Sequence, residues 1–366
     1  MLRHKAFKNV GGFKAFLKKI VPSHVYYSSA YYENPEAEMR RKGWLGADLF
    51  FDIDADHIPT PCKKLHDRWT CTSCGAVGKG APPDKCPGCG RQKFDEKTWP
   101  CEVCLEAAKA ETMKLLDMLM EDFGFSAGDI TVCFSGHRGY HVQVESGEVQ
   151  ALDGMARKEI VDYVVGVGLE TIFHGLEKKE ARVLAGPGLE DKGWRGRIAR
   201  GTYDFLLNAS LQELKQIGLG KKAVDVLTKN KDKLLGSWRK VGPWSMIRNV
   251  GVKSWEKIAA HAVDGQSAKI DTVVTPDVHR LIRLTGSLHG KTGLRKVEVP
   301  LESLESFDPF KSAIAFKEGK VRVFVSEAPE FRIEDETYGP YKEQRVELPT
   351  AAALLLLCKG LAEVAE

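Results

Sequence analysis

The sequence predicts a mixed α/β (α+β) fold, and three kinds of segment support that prediction. Residues 47–57, ADLFFDIDADH, have an apolar run followed by acids, which is typical of a buried strand. Residues 129–144, DITVCFSGHRGYHVQV, have the pattern of two strands joined by a glycine-bearing turn. Residues 102–125 and about 150–265 carry helical patterns instead. Beyond residue 294 strands and turns alternate, and an apolar helix follows them.

The length and composition fit one large core that carries insertions. The chain has 366 residues, of which 43% are apolar. Its 54 Lys and Arg nearly balance its 50 Asp and Glu, so any nucleic-acid surface must come from segregated charge. No apolar run is long enough to span a bilayer, and the N-terminal MLRHKAFKNVGG lacks the apolar centre of a secretory signal. We therefore expect a cytoplasmic protein without membrane contact.

Two acids end the first predicted strand. Asp52 and Asp54 are two residues apart, so on a strand both carboxylates face the same side. Carboxylates held this close repel each other, and hard divalent cations relieve the repulsion and accept oxygen ligands. The pair therefore predicts a two-metal site for phosphoryl or nucleotidyl transfer. The alternative is a pair of solvated turn residues.

The cysteines are concentrated in one segment. Seven of the nine lie between Cys62 and Cys104, which in a cytosolic protein indicates metal binding rather than disulfides. Two Cys-x2-Cys knuckles have the spacing of a zinc ribbon, namely Cys71, Cys74, Cys86 and Cys89. The seven cysteines and His66 together provide eight ligands, enough for two tetrahedral Zn²⁺ sites.

The predicted hairpin has the residues of an anion site. Gly136 and Gly139 allow the backbone to approach a ligand closely. Ser135, Arg138 and His141 can then converge on one phosphate. An ordinary hairpin with a polar tip is the alternative.

The helical segment after the hairpin is basic. Its charge run consists of Lys229, Lys231, Lys233, Arg239 and Lys240. Contact with a template or primer competes here with a simple solvated face. Residues 193–201, GWRGRIARG, are a second candidate because their glycines are expected to be mobile.

A third segment, residues 269–294, adds Asp271, Arg283, and the turn SLHGKTG with His289 and Lys291. In this order, FDIDADH, SGxRGxHVxV and IDxxVTxDxxRLIRxxxSLHGKTGL resemble the catalytic small subunit of the archaeo-eukaryotic DNA primases, archaeal type. The resemblance extends to VPSHVYYSSAYYENPEAEMRRKGWLGADL and covers most of the chain outside residues 71–89 and roughly 150–265. Each motif is short, but their combination is specific.

The resemblance implies a primase-type catalytic core of mixed β-sheets flanked by helices. Residues 1–60, 105–150 and 266–366 would form the core and the C-terminal helix. Residues 61–104 would form a zinc-binding insertion, and residues 151–265 a mainly helical insertion.

The resemblance also implies synthesis of short RNA primers on a single-stranded DNA template. Asp52, Asp54 and Asp271 would bind two Mg²⁺ or Mn²⁺ ions, which activate the primer 3′-hydroxyl and neutralise the departing pyrophosphate. The residues that would hold the incoming NTP are Ser135, Arg138, His141, Arg283, His289 and Lys291. Use of dNTPs is left open.

The zinc ligands are divided by the same resemblance. The family-like site would consist of Cys62, His66, Cys101 and Cys104, with His57 as a competing ligand. The inner four cysteines would form an additional ribbon, Cys71, Cys74, Cys86 and Cys89. Closed thiolate and imidazole shells leave no open position, so we expect both Zn²⁺ ions to be structural.

The family pairs this subunit with a large subunit that carries an iron–sulfur domain. Only Cys133 and Cys358 remain here outside the predicted zinc ligands, too few for such a cluster. We therefore expect a heterodimer that acts at replication forks on template, primer and NTPs. The apolar helix over residues 351–357 is a candidate docking surface.

Three other functions compete with this interpretation. A metal-dependent nuclease would use the same acids, but it has little need for a triphosphate site. An end-joining or repair-type polymerase of the same superfamily shares the acids, whereas the zinc insertion and SLHGKTG favour the replicative primase. A zinc-ribbon scaffold without activity would leave the three acids unexplained.

Overall fold

The computed structural model describes residues 2–179, 182–238, 242–244, 247 and 250–365. Its mixed α/β fold confirms the predicted class. The chain forms two compact units, the first from residues 1–112, 127–158 and 269–366 and the second from residues 113–126 and 159–268. None of the described helices combines the length and the apolar character that crossing a bilayer requires.

The elements are numbered in chain order. The helices are α1 (Val10–Ile20), α2 (Lys63–His66), α3 (Glu102–Glu121), α4 (Gly147–Gln150), α5 (Gly154–Val165), α6 (Gly193–Asn208), α7 (Leu211–Gln216), α8 (Lys221–Lys229), α9 (Lys231–Ser237), α10 (Val252–Gln266), α11 (Pro309–Ser312) and α12 (Thr350–Cys358). The strands are β1 (Tyr26–Ser28), β2 (Ala30–Tyr32), β3 (Trp44–Ala47), β4 (Leu49–Asp54), β5 (Arg68–Cys71), β6 (Val77–Lys79), β7 (Phe94–Lys97), β8 (Ile130–Phe134), β9 (Gly139–Val144), β10 (Glu177–Lys179), β11 (Arg182–Ala185), β12 (Leu281–Arg283), β13 (Val297–Glu298), β14 (Lys320–Ala328), β15 (Phe331–Ile333), β16 (Glu336–Tyr338), β17 (Tyr341–Pro349) and β18 (Ala362–Val364).

A four-stranded antiparallel sheet organises the first unit, in the order β13-β8-β9-β4. In β4, Leu49, Phe51 and Ile53 lie on one face and are fully buried. Asp52 and Asp54 lie on the opposite face and are only partly buried. The period-two alternation of a strand thus buries an apolar stripe and presents both carboxylates on one side.

Residues 269–294 pack against the face of β4 that carries the two carboxylates. Phe50, on the same face as the acids, packs in a buried cluster with Val274 and Ile282, and the half-buried Tyr27 joins this cluster. β12 pairs with β1, which places Ile282 opposite Tyr27. The apolar contacts of Phe50 therefore fix the loop that carries Asp271 next to β4.

The C-terminal helix α12 packs onto the three-stranded sheet β17-β14-β18. Its side chains Ala352, Ala353, Leu355 and Leu356 are buried, and none of its residues is fully exposed. Docking of a partner on the helix at residues 351–357 stays a prediction, for which only the partly buried side chains remain. The apolar residues of this helix are used within the first unit.

The insertion that carries the cysteines has its own three-stranded sheet, β6-β5-β7. Trp69 of β5 is buried and packs edge-to-face on Phe94 of β7, with ring centroids 5.2 Å apart. This segment is therefore organised around an aromatic pair and two cysteine clusters.

The second unit is built around the pairing of α6 with α10. Residues 193–201 begin α6, and Arg197 is buried between Asp122 and Asp117, at 2.6 and 2.8 Å. This segment therefore packs as a helix, contrary to the expectation of mobile glycines. Arg239 and Lys240 of the basic run lie outside the described residues.

Two boundaries differ from the sequence prediction. The helix expected over residues 102–125 ends at Glu121, before Gly124, whose φ of +78° is left-handed. The segment expected to be helical also contains the hairpin β10–β11. Its short strands have no long alternating pattern from which to predict them.

Candidate active site and zinc centres

Asp52, Asp54 and Asp271 come together at the end of β4. The backbone N–H of Asp271 donates to the carbonyl of Asp52 over 2.8 Å, which ties the two acids together through the main chain. The carboxylates of Asp54 and Asp271 each accept a hydrogen bond from the backbone two residues later, at 2.9 and 3.0 Å. These local turns hold the acid side chains in place.

The acids oppose each other's ionisation. Burial, together with the charges of Asp54 and Asp271, raises the pKa of Asp52 to about 7. Burial also raises the pKa of Asp54, although the charge of Arg138 counteracts this effect. A set of crowded carboxylate oxygens fits hard divalent cations, which remove the repulsion.

The carboxylate oxygens of the three acids do not all lie within 4.8 Å of one another. Within the described residues, only the Cys/His groups bring three or more ligand atoms within 4.8 Å of one another. Ions in two-metal sites lie about 3.5–4 Å apart, so their ligands need such a spread.

The turn between β8 and β9 requires its two glycines. Gly136 has a φ of +86°, and a Cβ there would lie 2.9 Å from the Cβ of His289. A Cβ on Gly139 would lie 2.0 Å from the carbonyl oxygen of Ile53. The backbone of the hairpin therefore approaches both β4 and the SLHGKTG turn as closely as glycine allows. Ser135 is buried, and its Oγ accepts the N–H of His137 at 3.3 Å.

Arg138 is almost fully buried, with 1% of its surface exposed. One guanidinium nitrogen donates to both carboxylate oxygens of Asp67, at 3.0 and 2.9 Å, and to the carbonyl of Trp99 at 3.2 Å. The other terminal nitrogen pairs with Asp56. Arg138 is thus held between the cysteine-bearing insertion and the turn after β4.

His141 faces the acids from the neighbouring strand. It lies opposite Asp52 in the β4–β9 ladder, and its Nε2 is 3.7 Å from Asp52 Oδ1. Burial and the charges of Lys296 and Arg283 hold the pKa of His141 well below its usual range. Its Nδ1 is buried and has no hydrogen-bond partner within the described part of the chain. The structure therefore presents a neutral imidazole beside the acids.

The SLHGKTG turn supplies His289 and Lys291. The N–H of Lys291 donates to Nδ1 of His289 at 3.2 Å, so the proton of the neutral ring resides on Nε2. Burial and the charge of Arg283 lower the pKa of His289 to about 3, which keeps the ring neutral. His289 is thus a neutral donor, and the exposed Lys291 beside it is a cation.

Arg283 lies at the edge of this turn. Its guanidinium donates to the carbonyl of Leu288 and to the hydroxyl of Tyr26, both at 3.2 Å, and its carbon lies 5.1 Å from the centre of the Tyr26 ring. His24 is 3.4 Å from the same guanidinium. Neither Tyr26 nor His24 was among the predicted site residues.

The first Cys/His group consists of Cys62, His66, Cys101 and Cys104. The Sγ of Cys62 lies 3.4 Å from that of Cys104 and 3.5 Å from that of Cys101, and the Nε2 of His66 lies 3.2 Å from the Sγ of Cys101. The Nδ1 of His66 donates to Asp67 at 2.7 Å, which directs Nε2 towards the thiols. This donor set fits a tetrahedral Zn²⁺.

The second group consists of Cys71, Cys74, Cys86 and Cys89. The sulfurs of Cys71 and Cys89 are 3.6 Å apart, as are those of Cys74 and Cys86. The cysteines are free thiols, and four thiolates at these distances also fit Zn²⁺. The structure therefore groups the ligands in the same two quartets as the sequence analysis.

Sequence reasoning missed several residues near the site. The Nζ of Lys296, 1% exposed, lies over the rings of Tyr27 and Phe50, and its charge favours ionised Asp52. His137 stacks on His289 with ring centroids 4.9 Å apart. His137 stands within a quoted motif, but Lys296 follows its motif without any pattern of its own.

The chain was compared with known proteins. A family model described as DNA primase small subunit matches residues 84–301, more than half of the chain. The chain belongs to the DNA primase small subunit family. It is 31% identical to the DNA primase small subunit PriS of Nitrosopumilus maritimus, over 100% of this chain and 88% of that protein. It is 35% identical to that of Methanococcoides burtonii, over 99% and 88% of the two chains.

A third primase small subunit, that of Archaeoglobus fulgidus, is 36% identical over 98% of this chain and 85% of that protein. These alignments extend beyond the family model, which begins after Asp52 and Asp54. The recognised resemblance to archaeal primases is thereby confirmed.

Proposed function

We propose that this chain is the catalytic subunit of a DNA primase that synthesises short RNA primers on single-stranded DNA. The observation that supports this most directly is the convergence of three acids with a set of basic groups. Asp52 and Asp54 share one face of β4, and Asp271 is bonded to the Asp52 backbone. His141 faces Asp52 from the adjacent strand.

The three acids would hold two divalent cations, Mg²⁺ or Mn²⁺. When bound, such ions lower the pKa of the primer 3′-hydroxyl and neutralise charge on the pyrophosphate that leaves. The role of the protein is to hold the carboxylates close together in spite of their repulsion. The raised pKa of Asp52, about 7, reflects the free energy spent on this arrangement.

The incoming triphosphate would be held by the hairpin and the SLHGKTG turn. The residues of this proposed set are Ser135, Arg138, His141, Arg283, His289 and Lys291. Neutral His289 donates through Nε2, while Lys291 supplies positive charge. In this structure Arg138 is bound to Asp67 and Asp56, so its approach to phosphate requires exchange of one of these partners.

Two structural Zn²⁺ ions would stabilise the insertion, one in each quartet. The chain would act in the cell at replication forks with a large primase subunit, on template, primer and NTPs, with dNTPs as further candidate substrates. The proposed phosphate-binding residues all belong to a single triphosphate site, and a partner is therefore proposed to help hold the initiating nucleotide.

The test is primer synthesis on single-stranded DNA with labelled nucleotides, with and without the large subunit. We expect products that begin with a ribonucleotide in the presence of the large subunit. Asp52→Asn should abolish them, whereas Asp95→Asn, an exposed acid on β7, should not. Extension of annealed or end-bridged strands without any de novo synthesis, even with the partner, would support the repair-type polymerase instead.

A further inference from the structure

Lys359 adds a positive charge to the side of the candidate site where the triphosphate is proposed to bind. Lys359 directly follows α12, where the helix dipole favours a positive charge. Its ammonium donates to the carbonyl of Thr98 at 2.7 Å and to Nε2 of His137 at 3.1 Å. His137 stacks on His289 with an interplanar angle of 9°. Only one ring therefore separates Lys359 from the SLHGKTG turn.

Lys359 forms no ion pair with a carboxylate among the described residues, and both of its hydrogen-bond acceptors are uncharged. Burial and the charges of Arg138 and Lys291 lower the pKa of Lys359 to about 7, and the charge of Asp67 opposes this only in part. The same crowding of positive charge acts on His289. A cluster of basic groups with few acids nearby favours the binding of an anion, because the anion neutralises the excess positive charge.

We propose that Lys359 is a further binding residue for the triphosphate of the incoming nucleotide, and that it contacts the terminal phosphate. This inference rests on the proposed function, in which His289 and Lys291 bind the same triphosphate. Lys359 is partly exposed, and its ammonium already forms two hydrogen bonds. A lysine ammonium on a flexible stem can exchange its bond to Thr98 for one to a phosphate oxygen.

The assignment to the terminal phosphate follows from the positions of the basic groups. The reacting α-phosphate is expected beside the acids, where Asp52 faces His141 and accepts the backbone N–H of Asp271. Lys359 instead reaches the basic cluster through His137, which stacks on His289 of the SLHGKTG turn. We therefore assign Lys359 to the terminal phosphate and not to the α-phosphate.

The experiment compares binding of a labelled nucleoside triphosphate and the matching monophosphate to the full chain with Mn²⁺ and primer–template. Lys359→Met should weaken triphosphate binding about ten-fold or more, the effect of losing a hydrogen bond to a charged group. Monophosphate binding should stay unchanged, since the lost contact is to the terminal phosphate. Lys359→Arg should retain most of the affinity, and the exposed Lys320→Met on β14 should behave like the unaltered chain.

Two outcomes separate this inference from the proposed function. If the unaltered chain binds the triphosphate and His289→Ala weakens binding while Lys359→Met does not, the role of Lys359 is overturned and the site stands. If the unaltered chain binds no triphosphate, the proposed function fails as well. Melting temperature and zinc content check the fold of Lys359→Met. Should that variant unfold, Lys359→Gln in the same assay decides, and unchanged affinity overturns the proposal.

Discussion

Among single residues, Asp52 shows most clearly how the candidate site lowers the stability of the fold. An isolated aspartate ionises near 3.8, whereas burial beside Asp54 and Asp271 raises the pKa of Asp52 to about 7. Between these two values the folded chain holds a proton that the unfolded chain has released. Without added divalent cations, the free energy of unfolding therefore falls as the pH rises through this window.

Asp52→Asn should abolish nucleotide incorporation and yet raise stability at the alkaline end. Because asparagine does not ionise, the melting temperature of the variant should exceed that of the unaltered chain more at about pH 8 than at about pH 5. Added Mn²⁺ should raise the melting temperature of the unaltered chain and so reduce its difference from that of Asp52→Asn. Thermal melts at both pH values measure this, with Asp95→Asn as the matched control. Near-normal turnover of Asp52→Asn with Mn²⁺ would show that the three-acid site is wrong.

Asp67 connects one of the proposed zinc quartets to Arg138, a residue of the proposed nucleotide site. It accepts hydrogen bonds from His66, Trp99 and Arg138, and 6% of its side chain is exposed. Asp67→Asn should destabilise the chain by about 3 kcal/mol, the lower end for breaking a buried ion pair, because Asp56 still pairs with Arg138.

The same change should weaken zinc binding about ten-fold or more, since a carboxylate that orients a ligating histidine contributes to metal affinity. Denaturant unfolding and competition with a chelator measure the two effects separately. Zinc affinity that is unchanged in Asp67→Asn, with Asp95→Asn as control, would show that the His66–Asp67 contact does not orient the ligand.

Single residues also show how much of the site could be predicted from the sequence alone. Alternation along a strand was sufficient to predict that Asp52 and Asp54 share a face, because that rule is local. The partners of Arg138 were not predictable, since Asp67 is 71 residues away and only the tertiary fold brings the two together. Lys359 is farther still, 222 residues from His137, and belongs to no motif.

At the scale of elements, the cysteine-bearing insertion contains two ligand quartets in different places. The ribbon quartet lies within residues 71–89, at the end of β5 and in the loops that follow it. The other quartet joins α2, which follows the turn after β4, to the start of α3. The loss of each quartet should therefore have different consequences.

Metal analysis of the purified chain should find about two Zn²⁺ per molecule. Cys86→Ser should reduce this to about one with primer extension largely kept, because the ribbon lacks any proposed catalytic residue. Cys101→Ser should damage folding more, as seen in a lower melting temperature and weaker expression. One Zn²⁺ in the unaltered chain would contradict the two-quartet assignment.

Helices and strands were predicted with unequal success for physical reasons. The hairpin β8–β9 was recognised because alternation and turn glycines coincide there. The apolar helix α12 was recognised as a helix, but its partner was not, since an apolar face looks alike whether it covers a sheet or a second protein. The packing of α12 on β14, β17 and β18 depends on strands that pair over long sequence distances.

For the whole molecule, the central question is how a chain is started. Starting requires two nucleotides at once, and all the basic groups described above belong to the one proposed triphosphate site. The isolated chain should therefore extend a supplied primer but form dinucleotides poorly until the large subunit is added. Gel analysis of labelled products, with and without the partner, measures this. Efficient dinucleotide synthesis by the isolated chain at low nucleotide concentration would contradict it.

The first unit is assembled from three separated stretches of chain, and this fixes the order in which its parts emerge from a ribosome. Both quartets of metal-ligating residues are complete once Cys104 has been made, whereas Asp271 and Lys359 follow much later. With the proposed Zn²⁺ bound, a nascent chain would fold the insertion while the acids of β4 still lack their third member. Competence for polymerisation would appear only after Asp271 and Lys359 have been made, and a chain released before that point would bind zinc without having a catalytic centre.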